Sequence, residues 1–381
     1  MSFQYIQRGA SSWSATGTAI AAALIAASLS ADALALEASG FPPLDKAAVM
    51  SVKALHGVML AVAPAGQRLV AVGAAGVVLL SDDNGKTWQQ AKVPVRVTLT
   101  AVQFVSDKEG WAVGHFGVVL HTSDGGGSWQ RQLDGVEAAA LVMKSAKDKL
   151  AAAAQATPEL EKSVAAAKRL VEEGPDKPLL GLYFKNKDTG FVIGAYNMMF
   201  RTDDGGRSWQ AWGGRTDNQR ALHLYGIRPA GNALVLVGEQ GLLRYSSDDG
   251  ASFKALASPY KGSYFGLVTT GSGEIVVFGL RGNAYWSGDQ GNAWKKIDTG
   301  TEGSLSSGFE LKESAIMLTS QRGDVLLSED KGQTFRKLEQ GAQVPIAGSA
   351  LARDGALVVT GLRGVARLAG PGARPADHAS R

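Results

Sequence analysis

Cysteine is missing from all 381 residues. Its absence excludes disulfides, thiolate metal ligands, a cysteine nucleophile and a lipid-modified cysteine after an export signal. Histidine is scarce as well, with five copies and no His-x-x-x-His spacing, so no metal site is expected. Lysine and arginine are scattered and the formal charge is only +4, which argues against nucleic acid as a partner. Beyond the N-terminal stretch the apolar runs are of strand length, too short to cross a bilayer as helices. A protein that touches a membrane would then do so only peripherally. Nothing in the composition calls for a cofactor.

Glycine, by contrast, is plentiful at 48 residues, and it recurs at intervals. Six times the chain spells Ser/Thr-x-Asp-x-Gly-x-Ser/Thr-Trp/Phe. The aspartate and aromatic of each copy are Asp83 and Trp88, Asp124 and Trp129, Asp204 and Trp209, Asp248 and Phe253, Asp289 and Trp294, and Asp330 and Phe335. Only the fifth departs inside the pattern, with Ala293 in the hydroxyl position. Successive aromatic ends lie 41, 80, 44, 41 and 41 residues apart, the long gap being one repeat plus an insertion of about 39. A self-similar unit of about 40–45 residues built from short strands is a propeller blade.

Each phrase follows an apolar run and, before that, a Gly-x-x-Gly turn: Gly73/Gly76, Gly114/Gly117, Gly238/Gly241 and Gly279/Gly282, with Gly194/Asn197 and Ser320/Gly323 as variants. A further turn, Gly361/Gly364, has no phrase after it, so seven turns predict seven blades. The aspartate is placed to accept backbone N–H groups across its turn, the glycine to supply a positive φ, and the aromatic to fill the space between sheets. That makes the phrases structural. The expected fold is all-β, a seven-bladed propeller over residues 36–381 with a disordered tail at 370–381. The last repeat lacks an outer strand, and the stretch Leu44 to Val52 is the expected donor, closing the ring with strands from both termini.

Two segments fall outside the repeat. Residues 1–35 read as a signal peptide: Arg8, an apolar stretch from Ala19 to Leu29, then two Ala-x-Ala sites, with cleavage expected after Ala35. Export to the periplasm follows. Residues 136–178 lose the glycine and aromatic punctuation and predict a helical hairpin between blades 2 and 3. Thr157-Pro158 caps its second helix, Leu160, Val164, Ala167 and Val171 form one stripe, and Met143, Ala146, Leu150 and Ala153 form the facing one.

The remaining residues offer little for catalysis. Asp82-Asp83-Asn84-Gly85 has the opening of a calcium loop, but Val93 stands where the bidentate acid belongs. The feature with most chemical content is the third position of the seven turns, which reads Ala75, Phe116, Tyr196, Gln240, Arg281, Arg322 and Arg363. Three successive blades thus carry arginine at one topological place, which a ring turns into a basic arc on the face opposite the phrases. The connections between blades add Arg96, Arg215, Arg220, His223, Tyr260 and Lys261 as candidate neighbours.

Seven units of turn and apolar strand, six of them followed by an Asp-box phrase, after an export signal resemble the photosystem II stability/assembly factor family over about residues 44–370. The resemblance implies a seven-bladed propeller that works without catalysis, binding a membrane-protein precursor through an arginine-rich patch. Carried over by position, that patch is Arg281, Arg322 and Arg363, with Tyr196, Phe116 and Gln240 beside it. The implied partner is a membrane protein or transporter with an acidic segment in the periplasm, or in the thylakoid lumen of a photosynthetic source. The departures are the long hairpin and the simple bacterial-type signal. The competing reading is a sialidase-like glycoside hydrolase, because Asp-boxes occur there and three arginines can bind a carboxylate. Against it, the nearest string to that family's Arg-Ile-Pro is Gly226-Ile227-Arg228-Pro229, in the wrong order, and no tyrosine nucleophile with a carboxylate partner is identified, although Tyr196 and Glu239 fall on neighbouring blades of one face.

Overall fold

The computed structural model describes residues 39–371, apart from 340, 341 and 343. The proposed signal peptide and the tail beyond Pro371 lie outside the described residues. Among the described residues, seven antiparallel sheets follow one another along the chain, six of four strands and the last of three. Their innermost strands are Met59–Ala65, Leu99–Phe104, Leu179–Phe184, Leu224–Ala230, Tyr264–Thr269, Leu305–Glu310 and Ile346–Leu351. Each packs beside its two neighbours, and the first packs beside the last, so the sheets form a ring. The innermost strands surround a central cavity of about 590 Å³.

The second strand of each blade is sandwiched between neighbouring sheets on both faces, and its sequence is apolar without alternation. Val70, Ala71 and Val72 are 0% exposed, and the later second strands are buried along their whole length. Outermost strands are short and largely polar: Gln89–Gln90 and Lys254–Ala255 are two residues each. In six of the seven blades second strand and turn meet at a glycine, for a reason unrelated to φ. A Cβ on Gly73 would stand 2.1 Å from the Val58 carbonyl oxygen just ahead of the innermost strand.

The Asp-box phrases link third and fourth strands, and each leans on the preceding blade. In the second copy, Asp124 Oδ1 accepts from Thr122 Oγ1 at 2.8 Å and from the Ser128 amide at 2.9 Å, while its Oδ2 accepts from Ser128 Oγ at 2.7 Å. Gly126, at φ +88°, lies so close to blade 1 that a Cβ there would meet Leu80 and Val70 at 3.2–3.3 Å. Gly85 of the first copy lies against Val358 of the seventh blade in the same manner. Trp129, Trp209 and Phe253 are buried, and Trp88, Trp294 and Phe335 are packed at the edges of the inter-blade cores.

Ring closure differs from expectation. Strands from the two ends of the chain do meet, but face to face: Met59, Val62, Leu69 and Leu79 share one core with Ala350, Ala356 and Val358. Residues 44–52 give the last sheet no fourth strand. They follow the outer edge of blade 1, where the Ala48 amide donates to Val93 O at 3.0 Å and the Ser51 amide to Gln90 Oε1 at 2.9 Å. The two-residue outer strand of blade 1 leaves those acceptors open, and Leu44, 1% exposed, drops into the adjoining core.

The insertion between blades 2 and 3 is a helical hairpin, Gly135–Ala152 and Pro158–Glu173. Asp134 caps the first helix, accepting from the Val136 and Glu137 amides at 2.9 and 3.2 Å; Thr157 caps the second; Gly174, at φ +86°, ends it. Of the expected stripes, Ala146 and Ala167 are buried and Met143, Leu150, Ala153, Leu160 and Val164 half-buried, while Val171 is 48% exposed; the first helix also turns Ala138, Leu141 and Val142 toward the propeller core.

Candidate partner-binding face

In each of the first six blades the second strand runs up to the turn and the third runs down to the phrase, so turns and Asp-boxes occupy opposite ends of the ring. The phrases are self-contained. In five of six copies the carboxylate takes bonds from two hydroxyls and a backbone amide, while in the fifth Ala293 leaves Asp289 with one hydroxyl fewer. These donors hold the aspartates below the usual carboxylate range; Asp248, bonded to Ser252 and Ser246, is pulled down to about 2.

On the turn face, Ala75, Phe116, Tyr196, Gln240 and Arg281 all adopt left-handed backbone, with φ between 50° and 57°. Arg322 and Arg363 do not; in their turns only the following glycine has a positive φ, +87° at Gly323 and +94° at Gly364, whereas Arg281 and Gly282 are both positive. The three arginines therefore share a topological place and an exposed setting but not a backbone conformation. Nor are they free of acids: Arg322 Nη2 stands 3.5 Å from Glu302 Oε2, on the connection between the Arg281 and Arg322 blades. Arg363 is exposed beside Leu362, itself 64% exposed.

The remaining turn residues form a second zone. Tyr196, 57% exposed, meets the His223 ring edge-on at 4.8 Å; His223 lies 6.3 Å from Tyr225, and Tyr225 5.7 Å from Phe265. This aromatic series descends from the turn face to the cavity mouth. The Gln240 side-chain oxygen accepts from Arg220 Nη2, and Phe116 is half-buried against the first core. Among the connection residues, Tyr260 donates to Leu280 O at 3.3 Å, next to Arg281. Arg96 is tied to Ala47 O, and Arg215 lies over the Trp212 ring at 4.0 Å and donates to Ala251 O, beside a phrase and off the turn face. His223, Tyr225 and Phe265 begin innermost strands, and projecting the first residues of those strands onto the cavity mouth is the sequence signal that finds the series.

The hydrolase residues do not assemble. Arg228 belongs to an innermost strand, faces the central cavity and donates from Nη1 to Ile227 O and Leu182 O at 2.8 and 3.2 Å. Tyr196 and Glu239 are both directed to His223, whose Nδ1 is 3.4 Å from Glu239 Oε2. Among the described residues no cluster of His, Asp and Glu is arranged to hold a metal ion.

A family model for the photosynthesis system II assembly factor YCF48 matches residues 66–138 and 161–340. The chain belongs to this family. Its match omits 139–160, which is most of the first hairpin helix and the start of the second. Among solved structures, YCF48 bound to D1 peptide is 17% identical with a TM-score of 0.59, covering 85% of this chain and 96% of that one. YCF48 from Cyanidioschyzon merolae is 16% identical with the same score, covering 83% and 96%. A streptogramin B lyase is similar in fold too, at 12% identity and a TM-score of 0.61, covering 82% and 94%. Curated protein sequences give no match.

Proposed function

We propose that the protein is a non-catalytic, exported assembly factor that holds an acidic segment of a membrane protein on its arginine-bearing face. The observation that carries this reading is Arg281, Arg322 and Arg363, exposed on the turn face of three successive blades in a YCF48-family propeller. A solved YCF48 is bound to a D1 peptide, which supports a membrane-protein segment as the kind of client. Guanidinium groups suit this task because each presents a fork of donors to a carboxylate without needing to be buried. Glu302 already neutralises part of the arc, so a client carboxylate would displace it from Arg322.

Pull-down from detergent-solubilised membranes tests the reading. Wild-type protein should retain one dominant membrane partner, less so as salt rises, and Arg281→Ala/Arg322→Ala/Arg363→Ala should lose it while staying folded. Full retention by the folded triple variant would overturn it. Cleavage of a fluorogenic sialoside by wild type, but not by the variant, would establish the glycosidase instead. N-terminal sequencing of envelope material should begin at Leu36, and an intact Met1 there would refute export by cleavage.

A further inference from the structure

The helical hairpin does not lie flat on the ring. Between it and the turn face of blade 3 runs a groove of about 590 Å³. Most of its facing positions are small: beside Val142 and Leu170, the helix side is lined by Ser145, Ala146, Ser163, Ala166 and Ala167, where larger side chains would close the gap. Met198 and Met199 form the opposing wall. Thioether side chains of this kind adapt to a variety of apolar shapes.

The charges around this apolar floor are of one kind. Lys149, toward the tip of the hairpin, and Arg169, toward its base, line the groove, are exposed, and have no ion-pair partner among the described residues. The one acid in the lining, Glu173, is spent on Lys177 at 3.2 Å. At the lip stands Tyr196, an exposed aromatic held at φ +53°, a conformation that costs a bulky residue energy and that clusters at binding sites.

We propose that this groove is a second docking site, separate from the arginine arc, for an extended partner segment bearing apolar side chains between carboxylates. The apolar side chains would lie on the methionine and alanine walls, and the carboxylates would meet Lys149 and Arg169. The chain's own C-terminal tail is a poor occupant. It leaves the seventh blade, across the ring from the third, and its side chains offer a single carboxylate, Asp377, against the cations Arg374 and Arg381. The inference rests on the protein being a binding factor, not on where the arc binds.

Fluorescence anisotropy with the mature full-length protein tests it, using a labelled synthetic peptide of alternating leucine and alanine flanked by glutamates. One control peptide carries glutamines for the glutamates, and another serines for the leucines. Ala166→Trp fills the groove from an exposed position, and Lys149→Glu/Arg169→Glu reverses its charge; unchanged melting confirms that both are folded. The expected result is binding of the acidic apolar peptide, weakened about tenfold or more in both variants and with both controls, and unchanged in the triple arginine variant. No wild-type binding, or undiminished binding by Ala166→Trp, would overturn the proposal. Loss only in the triple arginine variant would also overturn it, by moving the peptide to the arc.

Discussion

Trp111 and Phe184 stack face to face across the boundary between blades 2 and 3, with ring centroids 3.7 Å apart and planes within 7°. Trp111 is 0% and Phe184 2% exposed, and the Trp209 ring meets Phe184 edge-on at 6.2 Å. The hairpin enters the ring at this same boundary, and its Ala138 belongs to the same core. Replacing Trp111 with alanine should therefore cost about 3–5 kcal/mol in chemical denaturation, as for other large buried aromatics. A loss within about 0.5 kcal/mol would mean that the two rings do not hold the blades together.

Two phrase tryptophans of equal burial should respond differently to loss of the indole N–H. Trp129 Nε1 donates to Gly126 O at 2.9 Å, whereas buried Trp209 Nε1 has no protein partner among the described residues. Trp129→Phe should lose about 0.5–1.5 kcal/mol more than Trp209→Phe, the net worth of one hydrogen bond. Equal losses in urea titrations would show that the bond contributes nothing.

Acid should loosen the ring through its phrases. Asp248 is held at about 2 by its bonds to Ser252 and Ser246, below its unfolded value, and the other phrase aspartates are lowered too. A carboxylate with a depressed folded value adds stability above its unfolded value and loses it as pH falls toward the folded one. Stability should thus decline between about pH 4 and pH 2, more shallowly in Asp248→Asn, which is also the weaker protein at neutral pH. Identical pH profiles of the two melting midpoints would contradict this.

The fifth phrase can be improved. Ala293→Ser restores the hydroxyl that Asp289 lacks, while the Ala293 amide already donates to Oδ1 at 2.9 Å. The melting midpoint should rise by up to about 2 °C, whereas a fall would show that the site has no room for the hydroxyl.

Substitution to glycine should separate the arginine turns. Arg281 is at φ +56° and Arg363 is not at positive φ. Arg281→Gly should be neutral to stabilising by up to about 1 kcal/mol, because relief of left-handed strain offsets the flexibility added to the unfolded chain. Arg363→Gly adds only that flexibility and should destabilise. Matching responses in differential scanning calorimetry would refute the backbone difference.

Much of this architecture could be read from the sequence, because it is written in local, repeated chemistry. The aspartate, the hydroxyl residues and the glycine of each phrase act within eight residues, so spacing alone located the loops. The hairpin caps at Thr157 and Gly174 were equally local. What depends on distant partners was not readable. The route of residues 44–52 was set by open acceptors at Gln90 and Val93, and a missing seventh outer strand gave no hint of that preference. Equal spacing of the arginine turns concealed a change of backbone: Arg281 and Gly282 are both left-handed, whereas in the Arg322 and Arg363 turns only the glycine is. The groove was invisible because it is made by what the helices leave unfilled.

The seam between the first and last blades carries a mechanical consequence. No strand pairing joins those two blades in the described residues; they meet through side chains such as Val358 over Gly85 and the core around Met59. Tension applied to the two ends of the chain would load this junction first, prying apart greasy surfaces rather than shearing a ladder of hydrogen bonds. The ring is in that sense a clasp: the other blade boundaries are packed through side chains too, but there the chain itself also runs from one blade to the next. Moving the ends to another inter-blade connection, with the present ones joined, would relocate the load.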